Sequence, residues 1–275
     1  MSAVTTEAPG TAGAPAGIRA RRSSFVHDLT TIAGRALRAA PREPEAIVPA
    51  LVIPLFFFMV NTGALQDLAE QGGVVPDFKA FQLPVAILFA VTGVSRAPAL
   101  VTDIQNGYFD RLLLTPVRRL ALLLGLMVAD FALVIALAIP VVLLGFVVGV
   151  TFATGPAGIL VFLLLAGCWG VAFNGFAYAI ALKTGNPAAV NSSFVLFFPF
   201  LFLTTSFLPQ EALTGWLATV ADFNPVTYLL AGMRALVMDG WEAEPIAQGV
   251  AAIAGVGTVA ILLSLVALRG RTRRS

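Results

Sequence analysis

Long apolar runs separated by short polar segments form the main pattern of this chain. The hydrocarbon core of a bilayer is about 30 Å thick, and a helix needs about 20 apolar residues to cross it. Each run is near or above that length, so the pattern predicts an all-α membrane protein with six transmembrane helices. The predicted spans are residues 46–63, 81–101, 120–150, 157–182, 188–208 and 247–268.

A further apolar stretch, residues 225–238, is too short to cross the bilayer. Its roughly 14 residues rise about 1.5 Å each, which gives only about 21 Å. Before it, Pro209 ends a helix, and Asn224 and Pro225 suit the cap and first turn of the next one. The sequence therefore predicts an external re-entrant helical hairpin at residues 209–240, between spans five and six.

The two ends of the chain are more polar than its middle. Residues 1–24 are rich in Ala, Gly, Pro, Thr and Ser, which predicts a disordered cytoplasmic tail without a cleaved signal peptide. Residues 25–45 predict an amphipathic interfacial helix. Residues 46–268 then form one six-span domain, and residues 269–275 form a basic cytoplasmic tail. The apolar positions of the amphipathic helix are Phe25, Leu29, Ile32, Ala36 and Leu37, and its charged positions are Asp28, Arg35, Arg38 and Arg42.

The distribution of charge gives an independent test of the six-span topology. With the N-terminus inside, the outer segments 62–80, 151–156 and 209–248 contain eight acidic residues but only Lys79 and Arg234 among the basic ones. The other 15 of the 17 basic residues lie on or toward the inner side, as the positive-inside rule requires. We therefore predict a multi-pass membrane protein with both termini cytoplasmic. The 15 arginines against two lysines in an Ala/Gly/Pro-rich chain suggest a GC-rich bacterial genome, and hence a bacterial plasma membrane.

Composition excludes most enzyme classes. Hydrophobic residues make up 58% of the chain and charged residues 12%, whereas soluble domains are about 25% charged. A single cysteine, Cys168, and a single histidine, His27, cannot build a disulfide framework or a Cys/His metal site. The sequence contains no phosphate-binding loop, no G-x-S-x-G and no H-E-x-x-H, so we expect no catalytic, cofactor-binding or metal-binding residue. The net charge of +2 is too small to suggest nucleic acid as a partner.

The inner loop at residues 102–119 has a pattern of its own. Ile104, Tyr108, Leu112 and Pro116 fall four residues apart, so a short helix here would present a ridge of large apolar groups. Such a ridge favours docking to a partner. The alternative is an ordinary loop whose arginines fix the topology. Charged residues flank the ridge at Asp103, Asp110 and Arg111.

Two segments resemble the permease subunits of ABC type-2 exporters. Within that family, they are similar to the daunorubicin-resistance-like drug exporters. In the inner loop, an acidic residue is followed by a glycine four positions on, a leucine pair and a Thr-Pro turn: Asp103, Gly107, Leu112, Leu113, Thr115 and Pro116. Asp103 stands where a glutamate is more usual in the family. The second segment runs from the fifth predicted span to Gly240 and contains Phe198-Pro199, Ser206, Phe207, Leu208, Pro209, Trp216, Asn224-Pro225, Tyr228 and Arg234.

The resemblance implies a transmembrane permease subunit without its own ATP site. Such a subunit pairs with a second permease, as a homo- or heterodimer, and with separate ATPase subunits that bind ATP and Mg. It moves a lipophilic or amphiphilic substrate, drug-like or lipid-like, outward through the lipid membrane; lipid and polysaccharide exporters share the architecture. The implied ATPase-coupling residues are Asp103, Gly107, Tyr108, Asp110, Arg111, Leu112 and Pro116, and those of the re-entrant hairpin are Pro209, Asn224, Pro225 and Arg234.

Polar residues inside the spans suggest two further sites. Arg96 and Asp130 fall at similar depth in adjacent antiparallel spans, which predicts an intramembrane ion pair. Alternatively, Asp130 binds a proton or cation and the protein is an ion-coupled secondary transporter. The fourth and fifth spans mix polar and aromatic residues, which either pack helices together or line a substrate path. The path candidates are Asn191, Phe194, Phe198 and Thr205.

Overall fold

The computed structural model describes residues 24–92, 94–113 and 119–272, and all regular elements in these ranges are helical. Nearly all of the predicted N-terminal tail, residues 114–118 of the inner loop and residues 273–275 lie outside the described residues. The helices are α1 (Phe25–Ala39), α2 (Pro44–Gln71), α3 (Phe78–Thr92), α4 (Ala97–Gln105), α5 (Tyr108–Leu113), α6 (Arg119–Val147), α7 (Gly155–Thr184), α8 (Pro187–Ser193), α9 (Phe197–Phe202), α10 (Gly215–Phe223), α11 (Pro225–Arg234) and α12 (Ala243–Thr272).

Five segments of the described chain are long and apolar enough to cross a membrane. They match the predicted spans one, two, three, four and six. The second of them contains two helices, α3 and α4, with a break between them. The five segments are Pro44–Gln71, Phe78–Gln105, Leu120–Val147, Gly155–Thr184 and Ala243–Gly270.

The predicted fifth span is not one continuous helix. Residues 188–208 contain α8, a 3₁₀ turn at Phe194–Leu196 and the six-residue α9. Ser192 and Ser193 donate their hydroxyl groups to backbone carbonyls of the same helix, which competes with a regular hydrogen-bond ladder. Pro199 inside α9 has no amide hydrogen, so it cannot donate a helical hydrogen bond to the preceding turn. These local interactions explain why hydropathy alone overestimated the length of the helix.

Small residues allow the long helices to pack closely around α7. A Cβ atom added at Gly170 would lie 2.7 Å from Val134 of α6, and one added at Gly175 would lie 2.7 Å from Ala260 of α12. Ser264 of α12 also donates a 2.6 Å hydrogen bond to the Gly175 carbonyl. Without water to drive association, such close backbone contact and interhelical hydrogen bonds stabilise a membrane bundle.

Helix α1 packs along α6 through its apolar face. The side chain of Ile32 lies so close to Gly125 of α6 that an added Cβ would approach it to 2.9 Å. Arg35 and Arg38 are exposed, as predicted, but Asp28 is buried, against the expectation that it faces outward. The amphipathic pattern of residues 25–39 therefore reflects a helix whose apolar face packs on α6.

Candidate functional site

A polar region lies inside the bundle at the break between α3 and α4. Helix α3 ends at Thr92 and α4 begins at Ala97, so backbone groups here lose their helical partners. Such groups are costly inside a membrane unless another group satisfies them. Asn174 of α7 donates to the Val94 carbonyl at 2.8 Å, and the Ser95 hydroxyl accepts from the amide of Ala97 at 3.1 Å.

Asp130 of α6 is the centre of the polar cluster at this break. It is fully buried, with 0% of its surface exposed. One carboxylate oxygen accepts from the backbone amide of Arg96 at 2.7 Å. The other accepts from the Ser95 hydroxyl at 3.0 Å, the Asn174 amide at 3.0 Å and the Tyr178 hydroxyl at 2.8 Å. Asp130 therefore caps the first turn of α4 and joins α6 to α7.

The prediction that Arg96 and Asp130 form an ion pair with each other is wrong. The guanidinium group of Arg96 binds Glu43 instead, with nitrogen–oxygen distances of 2.7 and 3.1 Å. Glu43 lies immediately before α2, at the end where the first span begins. The break turns the Arg96 amide toward Asp130 while its side chain reaches Glu43, so the two charged side chains contact different groups.

Sequence reasoning assigned none of four members, Glu43, Ser95, Asn174 and Tyr178, to this cluster. Ser95 and Tyr178 carried no signal beyond being polar within a span. Glu43 did carry one, because it is an acidic residue at the start of the first span, where it could meet an arginine of the second. The missing information was the break, since a regular helix would not expose the Arg96 amide.

The inner loop is divided by Gly107, whose φ of +68° places it in the left-handed region. Helix α4 ends before it and α5 begins after it, so the four-residue spacing does not continue through the loop. Ile104 is 7% exposed and belongs to the core, whereas Tyr108 is 39% exposed. The predicted continuous ridge is therefore not formed by these two residues.

Contacts between α1 and the inner loop hold the exposed tyrosine in place. Arg35 binds Asp103 at 2.6 Å, and its guanidinium carbon lies 4.8 Å from the centre of the Tyr108 ring. The hydrogen bond to Asp103 raises the pKa of Arg35 above its ordinary value. Arg111 is exposed on α5. Of the remaining loop candidates, Pro116 and the side chains of Asp110 and Leu112 lie outside the described residues.

The segment after the fifth predicted span contains two short helices, α10 and α11, fixed by polar contacts. The Asn224 side chain accepts from the amide of Val226 at 3.0 Å and donates to the carbonyls of Phe200 and Leu203 at 2.6 and 2.7 Å. Pro225 occupies the first position of α11. Pro209 precedes the 3₁₀ turn at Gln210–Ala212. Asn224 thus caps α11 and holds its start against the end of α9.

Arg234 fixes the other end of α11. It is buried, and its guanidinium group donates to the Phe81 carbonyl, the Thr205 hydroxyl and the Thr205 carbonyl at 3.2, 3.0 and 2.7 Å. The same group lies 3.4 Å from the centre of the Phe81 ring, a cation–π contact. Arg234 therefore ties α11 to α3 and to the segment after α9.

The four candidates for a substrate path do not line one surface. Thr205 is 3% exposed and is engaged by Arg234. Phe194 packs against the core, whereas Asn191 and Phe198 are exposed on α8 and α9. Among the residues that the structure describes, no group of three or more His, Cys, Asp or Glu side chains could hold a metal ion.

Comparison with known proteins places this architecture in a family. The family described as ABC-2 type transporter matches residues 27–238, which include the polar break, the inner loop and α11. The chain is 27% identical over 229 residues to the daunorubicin resistance ABC transporter permease protein DrrB1 of Streptomyces coeruleorubidus, covering 81% of this chain and 79% of that protein. It is 24% identical over 238 residues to the probable doxorubicin resistance ABC transporter permease protein DrrC of Mycobacterium tuberculosis, covering 86% of each. Because the family match spans most of the sequence, the chain belongs to the ABC-2 type transporter family.

Proposed function

We propose that this chain is the transmembrane permease subunit of an ABC exporter and moves a lipophilic or amphiphilic substrate outward. Family membership and two relatives named as daunorubicin and doxorubicin resistance permeases support this function. The energy comes from ATP hydrolysed with Mg by a separate ATPase subunit. A second permease, identical or different, completes the transport path.

In this proposal the protein crosses the membrane six times. The segment Pro187–Phe202 and the residues after it form the fifth crossing along the chain, in addition to the five long segments. The helix α8 follows directly on the inner end of α7, and α10 and α11 then form the external hairpin. Both termini are cytoplasmic. The concentration of basic residues in the segments thereby placed inside supports this orientation.

The observation that carries the coupling proposal is the presentation of Tyr108 at the inner end. Its ring is exposed, yet the Arg35–Asp103 ion pair and the Arg35 cation–π contact restrict it. A rigid exposed aromatic side chain is a suitable anchor for a protein interface because little side-chain entropy is lost on binding. We propose that the loop containing it docks to the ATPase subunit.

The test replaces Tyr108 with aspartate in the full chain, co-expressed with its ATPase partner. A buried charge at the interface should reduce co-purification and substrate-stimulated ATP hydrolysis at least tenfold, while membrane expression is retained. Tyr108→Phe is the matched control, because it keeps the ring and should retain both. Unchanged assembly and hydrolysis in the aspartate variant would contradict docking through this loop.

The alternative of an ion-coupled transporter that uses Asp130 is disfavoured by the geometry. Asp130 is fully buried, and its two oxygens accept four hydrogen bonds from within the bundle. Those contacts assign the carboxylate to the stabilisation of the helix break. The ATP-driven mechanism needs no titrating group in the span.

A further inference from the structure

A large apolar groove lies between α7, α9 and α12. Its volume is about 1050 Å³, at the upper end of the roughly 300–1,000 Å³ typical of small-molecule sites. Aromatic rings of α7 form one wall and aliphatic side chains of α12 form the other. The principal lining residues are Trp169, Phe173, Phe176, Phe200, Leu263 and Val266.

The depth of the groove matches one half of a membrane. Its lining extends along α7 from Trp169 to Lys183, about 14 residues or about 21 Å of helix. Half of the hydrocarbon core measures about 15 Å, and half of the bilayer with its headgroups about 20–22 Å, so the groove is long enough to reach from mid-membrane through the headgroup region. Pro225, the first residue of α11, lines the groove as well. The capped start of α11 therefore limits the groove on the outer side.

The interfacial end of the groove is basic. Lys183 is exposed there, and Thr184 and Gly270 also line this end. The sequence that follows Gly270 is also basic, Arg-Thr-Arg-Arg. No acidic residue lines the groove within the described chain. Basic sites between transmembrane helices at the cytoplasmic surface suit anionic lipid headgroups.

We propose that this groove binds an anionic phospholipid of the cytoplasmic leaflet, with an acyl chain along Phe176 and Leu263, close to Trp169, and the phosphate at Lys183. A zwitterionic lipid gains less from the lysine, and a cationic amphiphile is repelled by it. The site is therefore distinct from a path for a cationic drug. The inference uses the membrane orientation proposed above, but it does not depend on transport.

The test uses the full chain, with Trp216→Phe and Trp241→Phe to leave Trp169 as the only tryptophan. The protein is placed in vesicles containing brominated phosphatidylglycerol or brominated phosphatidylcholine, without ATP or an ATPase subunit. We expect the brominated phosphatidylglycerol to quench Trp169 at least threefold more strongly at equal mole fraction. Because no ATP is used, the result tests the groove even if the transport proposal fails.

Two variants connect the quenching to the groove. Lys183→Gln should reduce the difference in quenching between the two lipids to less than half of its value in the parent protein. Lys79→Gln, at the only other lysine of the sequence, should leave that difference unchanged. Ala179→Phe should fill the groove and remove quenching by both lipids, while Leu160→Phe, an exposed position outside the groove, should not. Equal quenching by the two lipids, or an unchanged preference in Lys183→Gln, would overturn the proposal. Weak quenching by both lipids in the parent protein would overturn it too, and would indicate that another protein surface covers the groove.

Discussion

Replacement of Asp130 by asparagine tests the polar cluster most directly, because it changes charge and hydrogen bonding with almost no change in volume. The asparagine oxygen can still accept from the Arg96 amide. Its NH₂ group, however, replaces the oxygen that accepts from Ser95, Asn174 and Tyr178. A net hydrogen bond is worth about 0.6 kcal/mol on average inside membrane proteins and about 1 kcal/mol in general. The Ser95 and Tyr178 hydroxyl groups can turn to accept from this NH₂ group, but the Asn174 NH₂ group loses its acceptor in residue 130. Hydrogen bonds to a charged acceptor are worth about 1.5–3 kcal/mol, so losing one and making the others neutral predicts a destabilisation of about 2–3 kcal/mol.

A double-mutant cycle then tests the partners assigned to Arg96. Arg96→Gln combined with Glu43→Gln should give a coupling energy of about 1 kcal/mol. The contact is bidentate, which strengthens it, but the Glu43 side chain is 41% exposed, so solvent screens the charges. Arg96→Gln combined with Asp130→Asn should show a smaller coupling energy, because Asp130 binds the Arg96 backbone amide, which the substitution retains.

The measurement is reversible unfolding in mixed micelles by titration with sodium dodecyl sulfate, followed by tryptophan fluorescence. The free energy of unfolding is compared across the single and double variants. A coupling energy above about 1 kcal/mol between positions 96 and 130, together with none between positions 96 and 43, would refute the assigned contacts. A cost below about 0.5 kcal/mol for Asp130→Asn would show that the carboxylate does not stabilise the break.

Two further predictions concern the outer side and the topology. In a Cys168→Ala background, single cysteines at Gln105 and Glu242 should react with a membrane-impermeant thiol reagent from opposite sides, and labelling from the same side would contradict the orientation. Arg234→Gln should destabilise the protein by about 2–3 kcal/mol, because three hydrogen bonds from a cation and a contact with Phe81 are lost; Arg234→Lys should recover part of that loss in the same unfolding assay, and equal losses would argue against a role for the charge.

The sequence predicted well those features that depend on composition over a long window. Five spanning segments follow from the length of the apolar runs, because a bilayer imposes that length on any crossing helix. The cap at Asn224 was also predictable, since Asn followed by Pro has both the acceptor and the backbone angle that a helix start requires.

Features that depend on a single backbone turn were not predictable in the same way. Gly107 separates Ile104 from Tyr108, so a regular spacing in the sequence does not become a shared face in space. The direction of the Arg96 side chain depends on the break before α4. No local propensity in the sequence indicates that it binds Glu43 and not Asp130. Substrate-path residues were the least predictable, because Thr205 is engaged by Arg234, which lies 29 residues away along the chain.

The division of the second span into α3 and α4 has a mechanical consequence. Helix α3 is buried along nearly its whole length, whereas α4 is a rod of nine residues, about 13 Å long. The short rod is linked to α1 through Arg35–Asp103 and to the end of α7 through a hydrogen bond from Gln105 to the Gly185 carbonyl. A load on α4 would therefore be shared by α1 and α7 as well as by α3. The second span is thus two rods of unequal burial that meet at the capped break, and not one stiff rod.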